Sequence, residues 1–128
     1  LVNISIMERD GLIEQARDVG AYFLKLLQDR VGGNRFVGDV RGVGQMIAVE
    51  LVADKAARRF FNPKDGAHRI VSAKAFENGV LSRALPFIEV NAFSPPLSMN
   101  RSEAEEAADR YGRALETCSD DLARLAGA

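Results

Sequence analysis

One cysteine and one histidine are all that this chain of 128 residues offers for thiol or imidazole chemistry. Cys118 cannot form an internal disulfide, and no pair of cysteines offers a metal site, a pattern that suits a reducing, cytoplasmic setting. Neither charge is in excess. Lys and Arg number 17 against 18 Asp and Glu, and a formal net charge of -1 leaves no long-range field to draw nucleic acid or an anionic membrane. No apolar run approaches the ~18 residues of a membrane span. The opening Leu1-Val2-Asn3-Ile4-Ser5-Ile6 lacks the basic flank and cleavage site of a signal peptide. Internal repeats and low-complexity tracts are absent as well, which excludes solenoids and biased linkers.

What remains has the composition of a globular protein, 47% hydrophobic and 27% charged. Its length fits one domain, able to bury roughly two-thirds of the surface of the unfolded chain. The chain opens on Leu1 within an apolar pattern, so its start is expected to be a cut or a disorder boundary, with residues Val2 to Met7 finishing a helix begun upstream. Leu12, Ala16, Val19, Phe23, Leu27 and Val31 recur at steps of three and four, the stripe of an amphipathic helix. Asp10 is its expected cap, and Gly32-Gly33-Asn34 its expected end through residues that tolerate a left-handed conformation. Strands are expected over Phe36 to Arg41 and Gln45 to Val52, joined by Gly42-Val43-Gly44. In the second, Ile47, Val49 and Leu51 face one way and Met46, Ala48 and Glu50 the other.

Ala53 to Asp65 breaks into a polar, basic loop around Pro63. Asp65 is placed to cap a helix over Gly66 to Asn78, whose buried side is Ile70, Ala73 and Phe76, or Val71, Ala75 and Phe76. Strands follow over Val80 to Arg83 and Ile88 to Phe93, the latter ended by Pro95-Pro96. Asn100 and Glu103 stand at capping-box spacing ahead of Ala104, Ala108, Tyr111, Leu115, Cys118, Leu122 and Leu125 on one helical stripe. The order predicted is helix, strand, strand, helix, strand, strand, helix. It belongs to the α/β class, as a small α+β domain whose sheet is covered on one face by helices.

Few residues carry chemistry. Gly42-Val43-Gly44 lies between strands, with no helix amino terminus after it to hold a phosphate, and reads as a hairpin turn. Arg41 beside it could bind an anion, though an arginine there more commonly bonds a carboxylate such as Asp39 or Glu50. Glu50, in an otherwise apolar strand, is expected at an edge or paired. His68 has no nucleophile or orienting acid near it in sequence and reads as a surface histidine, while Cys118 falls on an apolar stripe as a buried, inert thiol. Lys25 and Lys74 stand among charged helix neighbours and Lys55 and Lys64 in the polar loop, so all four are expected to be solvated. Arg83 differs: it ends a short strand before Ala84-Leu85-Pro86, where a guanidinium can leave the sheet and meet a carboxylate through two parallel bonds.

Five segments stand in a familiar order: Asp10-Gly11-Leu12 opening a long helix, Val40 to Leu51, Gly79-Val80-Leu81-Ser82-Arg83, Ser94-Pro95-Pro96-Leu97, and the closing helix. Together they resemble the carboxyl-terminal small domain of class III, pyridoxal-phosphate-dependent aminotransferases of the omega or amine:pyruvate type, over nearly all of residues 1–128. The resemblance implies an enzyme that moves an amino group between an amine or amino acid and a keto acid, commonly as a homodimer. It also implies that the cofactor's lysine, acidic partner and phosphate ligands precede Leu1, so that this segment alone does not catalyse. It gives Arg83 the role of binding the substrate carboxylate and swinging aside for an uncharged substrate. Ala84-Leu85-Pro86-Phe87-Ile88-Glu89 departs from the shorter Gly-Asp stretch of many relatives. A different class of reading is a free-standing small-molecule-binding or regulatory module, which helix-strand-strand units of this size also form.

Overall fold

The computed structural model describes residues 1–127. Its elements are α1 (Val2–Arg9), α2 (Leu12–Val31), β1 (Val37–Val43), β2 (Met46–Leu51), α3 (Ala67–Glu77), β3 (Arg83–Ala84), β4 (Val90–Phe93), α4 (Arg101–Thr117) and α5 (Ser119–Ala126). The predicted order is present, preceded by α1 and with the last helix divided in two. The four strands form one antiparallel sheet in the order β1-β2-β4-β3.

Alternation along the strands decides which side is filled. Ile47, Val49 and Leu51 of β2 are buried against Phe23 and Leu27 of α2 and Ala104, Ala108, Tyr111 and Leu115 of α4 in one continuous core. Phe93 sits between the layers with its ring edge-on to Phe23 and to Tyr111, at centroid distances of 5.7 and 5.0 Å. The stripe on α2 is buried from Ala16 to Val31. The capping box of α4 is complete, since Glu103 N–H donates to Asn100 Oδ1 and Asn100 N–H to Glu103 Oε2.

The β1–β2 turn sits one residue later than expected. Gly44, at φ 56°, is the first of its two central residues, and Val43 still pairs with Met46. This tip lies against α2, where a Cβ on Gly20 would run into the Gly44 carbonyl oxygen.

Several local expectations are corrected. Asp10 does not cap α2: Arg9 holds its carboxylate at 2.7 and 2.9 Å, and Gly11 at φ 60° is the N-cap. Asp65 does not cap α3, whose N-cap is Gly66 at φ 64°. α2 ends without a left-handed glycine, since Gly32 stays right-handed at φ -61° and Asn34 Oδ1 accepts from Phe36 N–H instead. Phe76 is exposed while Ala67, Val71 and Ala75 are buried, because Phe76 lies one residue, about 100°, beyond that line. The closing helix is divided at Cys118, where Thr117 Oγ1 donates back to the Arg113 carbonyl, a bond that bends helices, while its stripe stays buried through Cys118 and Leu122. The loop after β2 is anchored by a bridge between Asp54 and Arg59 and by buried Phe61 against Phe36.

Gly20→Ala is expected to lower the unfolding free energy by about 2 kcal/mol or more, because backbone stands on the far side of the new methyl. Gly33→Ala, which meets nothing within 4 Å, should cost under about 1 kcal/mol. Urea midpoints of the two variants make the comparison.

Candidate functional site

Filling one face of the sheet leaves the other as a shallow open surface. The register aligns Arg41, Ala48, Ala92 and Arg83 directly across β1, β2, β4 and β3. Two alanines thus form a low floor between two arginines. Val43, Met46, Leu81 and Leu85 stand around the floor and, with this row, line a cavity of about 660 Å³.

The two arginines differ in what they already hold. Arg41 donates to Asp39 Oδ2 at 3.0 Å and to Glu50 Oε2 at 3.1 Å, so both carboxylates weighed from the sequence are its partners, and Glu50 is paired. Asp39 first, and Glu50 with it, hold the guanidinium above its ordinary pKa. Its charge is spoken for. Arg83, exposed on the rim, makes no side-chain hydrogen bond or ion pair among the described residues. It is the cation of this floor with its donors free for an incoming anion.

His68 is not a surface histidine. It is 3% exposed in the first turn of α3, where Glu89 Oε2 accepts from its backbone N–H at 2.9 Å and lies 2.7 Å from Nδ1. Gly66 turns the chain so that this first turn faces the sheet, and a carboxylate from the loop before β4 takes the capping place expected of Asp65. Asn91, fully buried, donates from Nδ2 to the His68 carbonyl at 2.8 Å and accepts at Oδ1 from the Tyr111 hydroxyl at 2.9 Å. Burial raises the Tyr111 hydroxyl well above its ordinary pKa, so it stays a neutral donor. Spacing in the sequence held no sign of this network, because His68 and Glu89 are 21 residues apart.

The remaining candidates are inert. Cys118 is buried, and burial raises its thiol pKa. Lys25 bonds Asp29, Lys74 bonds Glu77, Lys55 donates to the Gly32 carbonyl, and Lys64 is exposed. None lies on the floor beside Arg83 or is desolvated as a reactive amine must be. The residues of this chain therefore do not fit the aldehyde of pyridoxal phosphate. No group of three His, Cys, Asp or Glu side chains among the described residues is placed to hold a metal ion. No described helix is long and apolar enough to cross a membrane.

The family model for class-III aminotransferases matches residues 1–115. The chain is 39% identical over 124 residues to a diaminobutyrate–2-oxoglutarate transaminase of Halomonas elongata, covering 97% of this chain and 26% of that protein. It is 32% identical over 106 residues to a putrescine–pyruvate aminotransferase of Pseudomonas aeruginosa, covering 83% of this chain and 23% of that one. Among solved structures, a transaminase from directed evolution by ancestral reconstruction superposes with a TM-score of 0.89 at 39% identity, over 93% of this chain and 26% of its own. An (S)-enantioselective omega-transaminase from Thermomicrobium roseum gives 0.82 at 32%, over 91% and 25%. The chain spans about a quarter of the length of the curated relatives it matches.

Because Arg83 is exposed and unpartnered, Arg83→Ala is expected to change the unfolding free energy by less than about 0.5 kcal/mol. A loss above about 2 kcal/mol in urea unfolding would make it a structural residue. Mixed with pyridoxal phosphate, this chain should keep no lysine adduct after desalting, as read by absorbance and intact mass.

Proposed function

This chain belongs to the class-III aminotransferases, and from that premise we propose that residues 1–128 form the carboxyl-terminal small domain of a pyridoxal-phosphate-dependent transaminase of the omega or amine:pyruvate type. The whole enzyme exchanges an amino group between an amine or amino-acid donor and a keto-acid acceptor. The lysine, acidic and phosphate ligands of the cofactor lie in sequence preceding Leu1, in keeping with four lysines here that are solvated or tied to neighbours. A cytoplasmic homodimer is the setting that this reading carries with it. The alternative of a free-standing binding module is not favoured by a family match that reaches from residue 1 to 115.

The role of this domain is to furnish one wall of the substrate pocket. The observation that carries it is a free guanidinium on an otherwise apolar floor: Arg83 beside Leu81, Leu85, Ala92, Ala48 and Met46. A carboxylate arriving there meets donors that no protein acid has occupied, and charge-assisted bonds to a guanidinium are stronger than neutral ones. The apolar side chains receive the part of a substrate that carries no charge. Arg41 is less suited than Arg83, because its charge is already paired with Asp39 and Glu50 through Nη1. A substrate without a carboxylate gains nothing from Arg83 and leaves it in solvent.

In the parent enzyme, Arg83→Ala is expected to raise KM for carboxylate-bearing substrates about thirtyfold, corresponding to a charge-assisted contact of about 2 kcal/mol. KM for simple amines should move by no more than about twofold, since they make no use of the guanidinium. Equal shifts for both substrate classes would remove Arg83 from the pocket.

A further inference from the structure

Arg83 sits on a strand that backbone pairing alone holds weakly. β3 is two residues long, at the sheet edge, and pairs through Arg83 with Ala92 and Ala84 with Asn91, with one further rung where Leu85 N–H donates to the Val90 carbonyl at 3.0 Å. Register in so short an edge strand is poorly specified by its ladder, and a slip of one residue would exchange its faces and turn Arg83 inward. The loop that follows adds strain, since Phe87 is held at φ 73°, a conformation costly for a bulky side chain.

Polar contacts at both ends fasten this hairpin to α3. Ser72 Oγ donates to the Ser82 carbonyl at 2.5 Å, and Ser82 Oγ donates to Ser72 Oγ at 3.2 Å, directly before Arg83. At the other end, the Glu89 carboxylate and the Asn91 amide grip the backbone of His68. His68 and Ser72 are four residues apart and so share one face of the helix. Ser82, Glu89 and Asn91 are all buried on that side while Leu81 and Arg83 are exposed on the other. The alternation leaves one arrangement: with Ser82 and Asn91 bound to α3, Arg83 must face the open floor.

Resting on the carboxylate-binding role given to Arg83, we propose that Ser72, Ser82, His68 and Glu89 are positioning residues for substrate recognition. They set the register of β3 from beneath and thereby hold the guanidinium over the alanine floor. None of them touches substrate. The buried Glu89 carboxylate accepts from the amino end of α3, where a negative charge is favoured.

The test uses the parent enzyme and two readouts. Glu89→Ala is expected to raise KM for carboxylate-bearing substrates about tenfold, with simple amines and kcat within about twofold, and Glu89→Gln, which keeps an acceptor, should recover most of the loss. In an Arg83→Ala background, Glu89→Ala should add no further discrimination. Independently of turnover, the thiol introduced by Arg83→Cys should react with an alkylating reagent, located by peptide mass mapping, and adding Ser72→Ala, which removes both hydroxyl contacts with Ser82, should slow that reaction by about twofold or more as the inward register gains population. Ser72→Ala removes a single hydroxyl and keeps this second readout available if Glu89→Ala does not fold. Unchanged alkylation after removal of the tether overturns the proposal, as does a Glu89→Ala effect equal for both substrate classes. Slowed alkylation together with no substrate selectivity in Arg83→Ala would leave the tethers standing and sink the carboxylate role instead.

Discussion

Ile47, Val49 and Leu51 turn one face of β2 toward α2 and α4, and burying that face obliges Met46, Ala48 and Glu50 to line the opposite one. The same parity runs through the cross-strand row of Arg41, Ala48, Ala92 and Arg83. A sheet with helices on one side only therefore presents a floor whose composition is the complement of its core. Two small residues keep it low, hydrophobic neighbours surround it, and one of its two cations makes no side-chain bond among the described residues. Chemistry at this surface follows from packing at the other.

Polar groups inside the core make that parity specific. A buried carboxylate is costly unless its bonds are met, and Glu89 meets part of the demand at the N–H and imidazole of His68. Its Oε1 and His68 Nε2 have no hydrogen-bond partner among the described residues. Replacing such groups by hydrocarbon would suit the core as solvent but would give up directional contacts that distinguish one strand register from its neighbour. Asn91 works in the same sense, joining the His68 carbonyl to the Tyr111 hydroxyl and so α3 to α4 through the centre of the sheet.

Much of the scaffold was legible beforehand for a local reason. The stripes on α2 and α4, the two-residue alternation of β2 and the Asn100–Glu103 box each express a period or a spacing contained within a single element. Local signals misled where a competitor stood nearby: Arg9 took the carboxylate of Asp10, and the back-bond of Thr117 accompanies the division of a helix whose apolar stripe runs on. Phe76 was placed inside on hydrophobicity although the line through Val71 and Ala75 passes it by. The strand expected over Val80 to Arg83 is mostly extended chain held by Ser72 rather than by ladder bonds.

The candidate site divides the same way. That Arg83 was the residue to watch, and that Arg41 would find Asp39 or Glu50, could be read from the order of residues, because both depend on neighbours a few positions away or on a recurring motif. The sequence by itself determined the helices and the hairpin, and it singled out Arg83 as the proposed carboxylate ligand. Only the tertiary structure decided that His68 is buried, that Glu89 caps α3, and that Arg83 shares a floor with two alanines, because the partners in those contacts lie 10 and 21 residues apart or on different strands. No period within a single segment encodes a meeting between two of them.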